Sequence, residues 1–393
     1  MSGDRVQDER ETSASASPAH SRSTRRVFIG RSAGVVLAVG GIGSFLEACG
    51  GGGSDTVTVM SWSVYVTPAV QKAFQKATGI TMQAIPAADD QTMFTKVKAG
   101  GGSQYDIVFA NCGWTPIYHQ NDLTEVLDLT SIPAAKNLWP IFKTDTSFPY
   151  VVAPNKTLIY PNMWSSTALM WNTTAPWQPP PPPYSWNDLW QAPSGKVILH
   201  GAPEDFLAMA GLAQGVPPSK VYSMTGATLD RAAKYLADLK PFQISPNSDA
   251  VTASALASNK AYIGFVSSLG ISYKANTQYA HKNVTRAVVP QEGALGWVDG
   301  PQLIKDAANR DNALKFIDFW GANVANQKYL WDTYYFAQTS QTSTERTLQG
   351  GGKSAAIAKS VGADKPDLAK QILFLAPPKD PTAWTQAYDS VVS

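Results

Sequence analysis

The stretch DTVTVMSWSVYVTPAVQKAFQKATGITMQAIP, residues 55–86, decides the fold. Its first eight residues are rich in β-branched side chains and follow a Gly/Ser segment, so they read as a buried strand. Thr67 followed by Pro68 is a helix start, with a capping hydroxyl and a proline in the first turn. The helix places Val70, Phe74 and Ala77 on one side and stops at Gly79. Residues 80–86 are a second strand. Asp89 and Asp90 then open a helix carrying Met93 and Val97, and YDIVFA (105–110) is a third apolar strand. Strands and helices that alternate over short connections predict an α/β layer with parallel strands.

Farther along, WQPPPPPYSWNDLW holds five successive prolines, 179–183, which predict an extended surface spacer. SWNDLW reads as a helix start and GKVILHG (195–201) as a short strand. TLDRAAKYLADLK gathers Leu229, Ala233, Leu236 and Leu239 on one helical face. KAYIGFVSS and TRAVVPQEG read as strands, and the longest helical run begins at Asp311.

The totals bound the function. A chain of 393 residues with 44% hydrophobic and 16% charged residues can build about two domains. A net charge of +2, with no lysine or arginine run, excludes a basic stripe for nucleic acid. Cys49 and Cys112 are too few for a disulfide framework or a structural zinc site. The four histidines (His20, His119, His200, His281) form no i,i+4 pair, so no metal site is expected. Neither a GxSxG elbow nor a phosphate-binding glycine loop is present, and no cofactor is expected.

Residues 1–48 read as an address. A polar segment precedes Arg25-Arg26, then an apolar run diluted by glycines and too weak for a spanning helix, which needs about 20 predominantly apolar residues. This resembles a twin-arginine export signal. Leu46-Glu47-Ala48-Cys49 is similar to a bacterial lipoprotein box, with Cys49 as the lipidated residue and 49–54 as a flexible tether. The expected location is therefore exported, lipid-anchored at the outer face of the cytoplasmic membrane or in the periplasm.

Open α/β sheets place ligands at the strand ends, and aromatic and polar residues recur at those positions. SWSVY offers Trp62, Ser63 and Tyr65, and FANCGW offers Asn111 and Trp114. HGAPEDF offers Glu204 and Asp205, and IGFVSS offers Phe265. GWVDG offers Trp297 and Asp299, which in an extended backbone point to the same side. An indole face beside a carboxylate suits a positively charged nitrogen. The bland alternatives are core packing for the rings and an Asp-Gly turn for Asp299.

These blocks, with WSSTALMWN, SWNDLW and NALKFIDFW and in this order, resemble the extracytoplasmic polyamine-binding proteins of ABC transporters, the spermidine/putrescine type. The resemblance implies a two-lobed periplasmic-binding-protein fold of type II, each lobe a mainly parallel sheet flanked by helices, joined by crossing strands. It implies lobe 1 from 55–160 and 298–343, and lobe 2 from 161–297 and 344–393. It implies a ligand site of Trp62, Ser63, Tyr65, Asn111, Asp205, Phe265, Trp297, Asp299 and Phe336, with Phe265 where the family carries tryptophan. Two positions depart from the family: Ala202 stands where Asp205 would have a partner acid, and Gly113 stands where the family has a tyrosine. A diamine shorter than spermidine, or another cationic metabolite, is therefore open.

The implied function is capture of a polyamine or related cationic amine and its delivery to an ABC permease and ATPase, by a monomer without catalysis. The competing readings are the same fold tuned to an uncharged or anionic solute, an exported hydrolase or lyase using Glu204, Asp205 or Asp299, and a surface adhesion or sensor lipoprotein.

Overall fold

A computed structural model describes residues 55–392 apart from 88, 240–242, 245–247 and 323, and residues 53–393 cluster as one compact unit. The export signal, Cys49 and its tether lie outside the described residues. Among the described residues, no helix is long and apolar enough to cross a membrane.

The strands that matter for the site are β1 (Thr56–Ser61), β2 (Thr81–Pro86), β3 (Ile107–Asn111), β4 (Met163–Ser166), β5 (Ala168–Asn172) and β6 (Val197–Leu199). They continue as β7 (Gln243–Ile244), β8 (Ile263–Val266), β9 (Thr285–Val288), β10 (Ala294–Leu303), β11 (Ala337–Gln338) and β12 (Ile372–Phe374). The helices are α1 (Pro68–Thr78), α2 (Asp90–Gly100), α3 (Pro203–Ala213), α4 (Gly226–Ala237), α5 (Arg310–Ala322) and α6 (Pro381–Val392).

The local signals of 55–86 become structure directly. Thr67 caps α1, its side chain accepting from the Val70 N–H at 3.4 Å; Pro68 occupies the first turn, and Gly79 ends the helix at φ 77°. That left-handed position is one glycine adopts without a Cβ clash. Val70 and Phe74 are buried. Strand β1 pairs in parallel with both β2 and β3.

Two large sheets carry the lobes, and a small third one pairs Leu127–Asp128, Lys156–Thr157 and Val151–Ala153. The first runs β11-β4-β10-β3-β1-β2, with β12 pairing β10; the second runs β7-β6-β8-β5-β9. Their parallel pairs are β3-β1-β2 and β10-β12 in the first and β7-β6-β8 in the second, whereas β10 pairs β3 and β4, and β5 pairs β8 and β9, in antiparallel fashion. The antiparallel members include the strands that cross. Chain from β4 in one sheet passes through Thr167 into β5 in the other. β10 begins with Ala294 and Leu295 in the core of the second lobe and ends with Leu303 in that of the first.

Each lobe has its own core. Phe74, Phe109, Phe316 and Trp320 fill the first, and Trp186, Phe206, Leu207 and Phe265 the second. The lobe boundaries differ from expectation in two places. β4 (163–166) belongs to the first sheet, although the resemblance implies lobe 2 for 161–297. Of residues 344–393, β12 also joins the first sheet, while α6 packs on α3 and α4 of the second lobe. The reason is pairing: β12 hydrogen-bonds along β10, a long-range contact that no local pattern reveals. The run from Asp311 is helical over 310–322 and 324–334, and prolines 180–183 are exposed as expected of a spacer.

Candidate functional site

Asp299 lies in the middle of β10, hydrogen-bonded strand on both sides, so it is no turn residue. Its register partners are Asn111 at the end of β3 and Met163 in β4. Trp297, two residues earlier, shares its side of the strand and is half-buried. Glycine at 300 is dictated by packing, since a Cβ there would lie 1.9 Å from the Tyr160 carbonyl oxygen.

The Asp299 carboxylate is buried. Oδ2 accepts a hydrogen bond from the Tyr65 hydroxyl at 2.7 Å, and Oδ1 is buried without a protein partner. Burial pushes this carboxyl well above its ordinary range, the Tyr65 hydrogen bond opposes the shift, and the nearby charge of Asp90 reinforces it. An acid held this way favours either a proton or a cation brought in by a ligand. Tyr65 is positioned from behind: its ring stacks on Phe109 at 5.2 Å and meets Trp62 edge-on at 5.9 Å. Trp62 is half-buried and Ser63 exposed in the turn that follows β1. Trp297 meets Phe336 edge-to-face at 5.9 Å, and Phe336 stacks on Tyr334 at 5.8 Å. Trp62, Tyr65 and Asp299 thus form one linked group, and Trp297 with Phe336, the residue before β11, forms an aromatic corner.

Asn111 and Asp205 line a cavity of about 490 Å³, whose walls come from both lobes. The first lobe contributes Asp89, Asp90, Gln91, Asn111 and Trp114, and the second contributes Ala202, Glu204, Asp205 and Tyr222. From the sequence, Asp89 and Asp90 are expected only to open a helix. Asp89 does cap α2, accepting from the Thr92 N–H at 2.7 Å. Asp90 does something else: its Oδ1 accepts the Asn111 N–H at 3.1 Å, tying the helix start to the end of β3. Burial raises the Asp90 pKa to about 7, against the lowering effect of that hydrogen bond. The doublet itself was the available signal, because one acid suffices to cap a helix.

Asp205 stands third in α3 and accepts the Ala202 N–H at 2.9 Å, the reach-back half of a capping box. Burial raises its pKa to about 6, the backbone hydrogen bond opposes the shift, and Glu204 adds to it. Glu204 is exposed beside it and lines the same cavity. Phe265 is placed differently from the rest. It is fully buried against Trp186 (5.2 Å) and Phe206 (5.8 Å) in the second core, so it packs there in place of the ligand contact expected of it.

This arrangement defines a class: two α/β lobes joined by crossing strands, with a cavity that acids from both lobes line and whose wall includes two of the expected contact residues, Asn111 and Asp205. The profile of the bacterial extracellular solute-binding proteins matches residues 69–353, and the chain belongs to that family. Its relatives are solute-binding proteins of ABC transporters, so its role is that of a binding protein and not an enzyme. The chain is 25% identical over 289 residues, covering 72% of itself and 78% of the relative, to a spermidine/putrescine-binding periplasmic protein of Salmonella typhimurium. Its fold matches the crystal structure of a spermidine/putrescine ABC transporter substrate-binding protein from Streptococcus pneumoniae, with TM-score 0.64 and 22% identity over 86% of this chain and 98% of that one. It also matches the Atu4243–GABA receptor, with TM-score 0.56 and 21% identity over 86% and 95%.

Proposed function

We propose that this chain captures a polyamine or related cationic amine outside the cytoplasmic membrane and presents it to an ABC import permease. In this reading it is a monomer tethered by lipid on Cys49. The observation that carries the proposal is charge. Asp89, Asp90, Glu204 and Asp205 converge on one cavity, and among the described residues that line it none is lysine or arginine. The unpartnered Oδ1 of Asp299 adds a further acceptor nearby on β3's neighbour strand. An ammonium over the Trp297 indole gains about 0.5–2 kcal/mol, more once water is excluded. Closure of the lobes about the crossing strands would exclude it, as hinge closure does in periplasmic binding proteins. The names of the curated relatives point to the same ligand chemistry.

Titration calorimetry with putrescine, spermidine and a panel of sugars tests this. Binding heat with at least one amine and none with the sugars is expected. Heat with the sugars alone would overturn the assignment in favour of an uncharged solute.

A further inference from the structure

The chain enters the cavity itself. After β12, residues 375–378 run from the first sheet to the second lobe and form part of the cavity wall. The segment is fixed at both ends. The Leu375 N–H donates to the Gly296 carbonyl at 2.8 Å, and the Lys379 N–H donates to the Tyr222 carbonyl at 2.8 Å. Beyond it, α6 is secured by the Trp384 indole N–H, which donates to the Met224 carbonyl at 3.0 Å.

This strap explains Gly113. A Cβ at that position would lie 1.5 Å from the Leu375 carbonyl oxygen, so no side chain fits while the strap is in place. Ala202, from the second lobe, lines the same cavity. Gly113, one of the two positions at which the sequence lacks a contact side chain, is therefore next to chain that occupies the space. Pro377 and Pro378 stiffen the strap and present no N–H, so this wall accepts hydrogen bonds from an ammonium but gives fewer to an anion.

Accepting the proposed amine function, we infer that residues 375–378 are a length gauge, an end wall that admits a compact mono- or diammonium and blocks a longer polyamine beyond Asp205. The strap is a specificity determinant supplied by backbone where a side chain would otherwise reach.

Calorimetry of the full-length chain against diamines of two to six methylenes, and against spermidine, tests this directly. Affinity should peak at a diamine no longer than putrescine and fall by about tenfold or more for spermidine, the scale on which extra methylenes are rejected by a closed pocket. In Pro377→Gly/Pro378→Gly, which loosens the strap, the putrescine-to-spermidine ratio should shrink to about threefold or less. Spermidine binding the unaltered chain as tightly as putrescine would overturn the gauge and leave the amine function standing. An unchanged ratio in the folded double variant would do the same. Failure of every amine to bind would overturn both. The series on the unaltered chain decides the length preference by itself if the double variant does not fold.

Discussion

Asp299→Asn is expected to weaken diamine binding by about 30-fold or more, while the unliganded chain folds as stably as before or more so. The variant keeps the shape of the side chain and an oxygen for the Tyr65 hydroxyl to donate to, so the 2.7 Å hydrogen bond survives. What it removes is the charge, which in the unliganded chain is buried with Oδ1 unpartnered and is therefore unfavourable. Once an ammonium is bound, the same charge becomes its counterion. Losing one partner of a desolvated ion pair costs about 2–5 kcal/mol, which is the source of the fold-change. Calorimetry for affinity and thermal melts for stability check the two halves separately. An Asn variant that binds diamine normally removes Asp299 from the site. One that binds poorly and also melts early would mean that the acid is structural.

The second large effect is on pH. Asp205 and Asp90 titrate in the folded chain near about 6 and about 7, both above the ordinary 3.8 and both chiefly because of burial. Between those values the folded chain holds more protons than the unfolded one, so each acid makes the unliganded protein less stable as pH rises through that window. The burial of His200 lowers its pKa and contributes with the opposite sign. Comparing the unaltered chain with Asp90→Asn cancels that term, and the variant should lose less stability between about pH 4 and 7. A cationic ligand reverses the preference, because it favours the ionised acids, while an aliphatic amine, with a pKa near about 10, stays charged throughout. Affinity should therefore be about tenfold or more weaker at pH 5 than at pH 8, with protons released on binding near pH 6. Calorimetry in two buffers of different ionisation enthalpy reads that release directly. Affinity that is flat across the range would show that neither acid meets the ligand's charge.

Much of the architecture was legible because its signals are local. Thr67, Pro68 and Gly79 mark both ends of α1 within the residues that form it, and β-branched runs on either side read as strands. The pairing of Trp297 with Asp299 followed from the two-residue period of an extended chain. Other features depend on contacts made at long range. Tyr65 and Asp299 are 234 residues apart, and nothing in either neighbourhood states that the phenol serves the carboxylate. Phe265 ends a strand just as a pocket residue would, but whether a ring at that place faces a crevice or a core depends on Trp186 and Phe206, which arrive from other elements. Asp90 looked like one more residue at a helix start until the end of β3 came to meet it. The strap was invisible for the same reason. Gly113 read as a missing contact, whereas the Leu375 carbonyl, supplied more than 250 positions later, is what requires the glycine.

The most direct test of the whole account is a crystal structure of the chain grown with putrescine. The expected result is a nitrogen within about 3 Å of Asp299 Oδ1, lying against the Trp297 ring, with the other end of the ligand between Asp90 and Asp205. A structure with the diamine bound elsewhere, and Asp299 Oδ1 still without a partner, would contradict it.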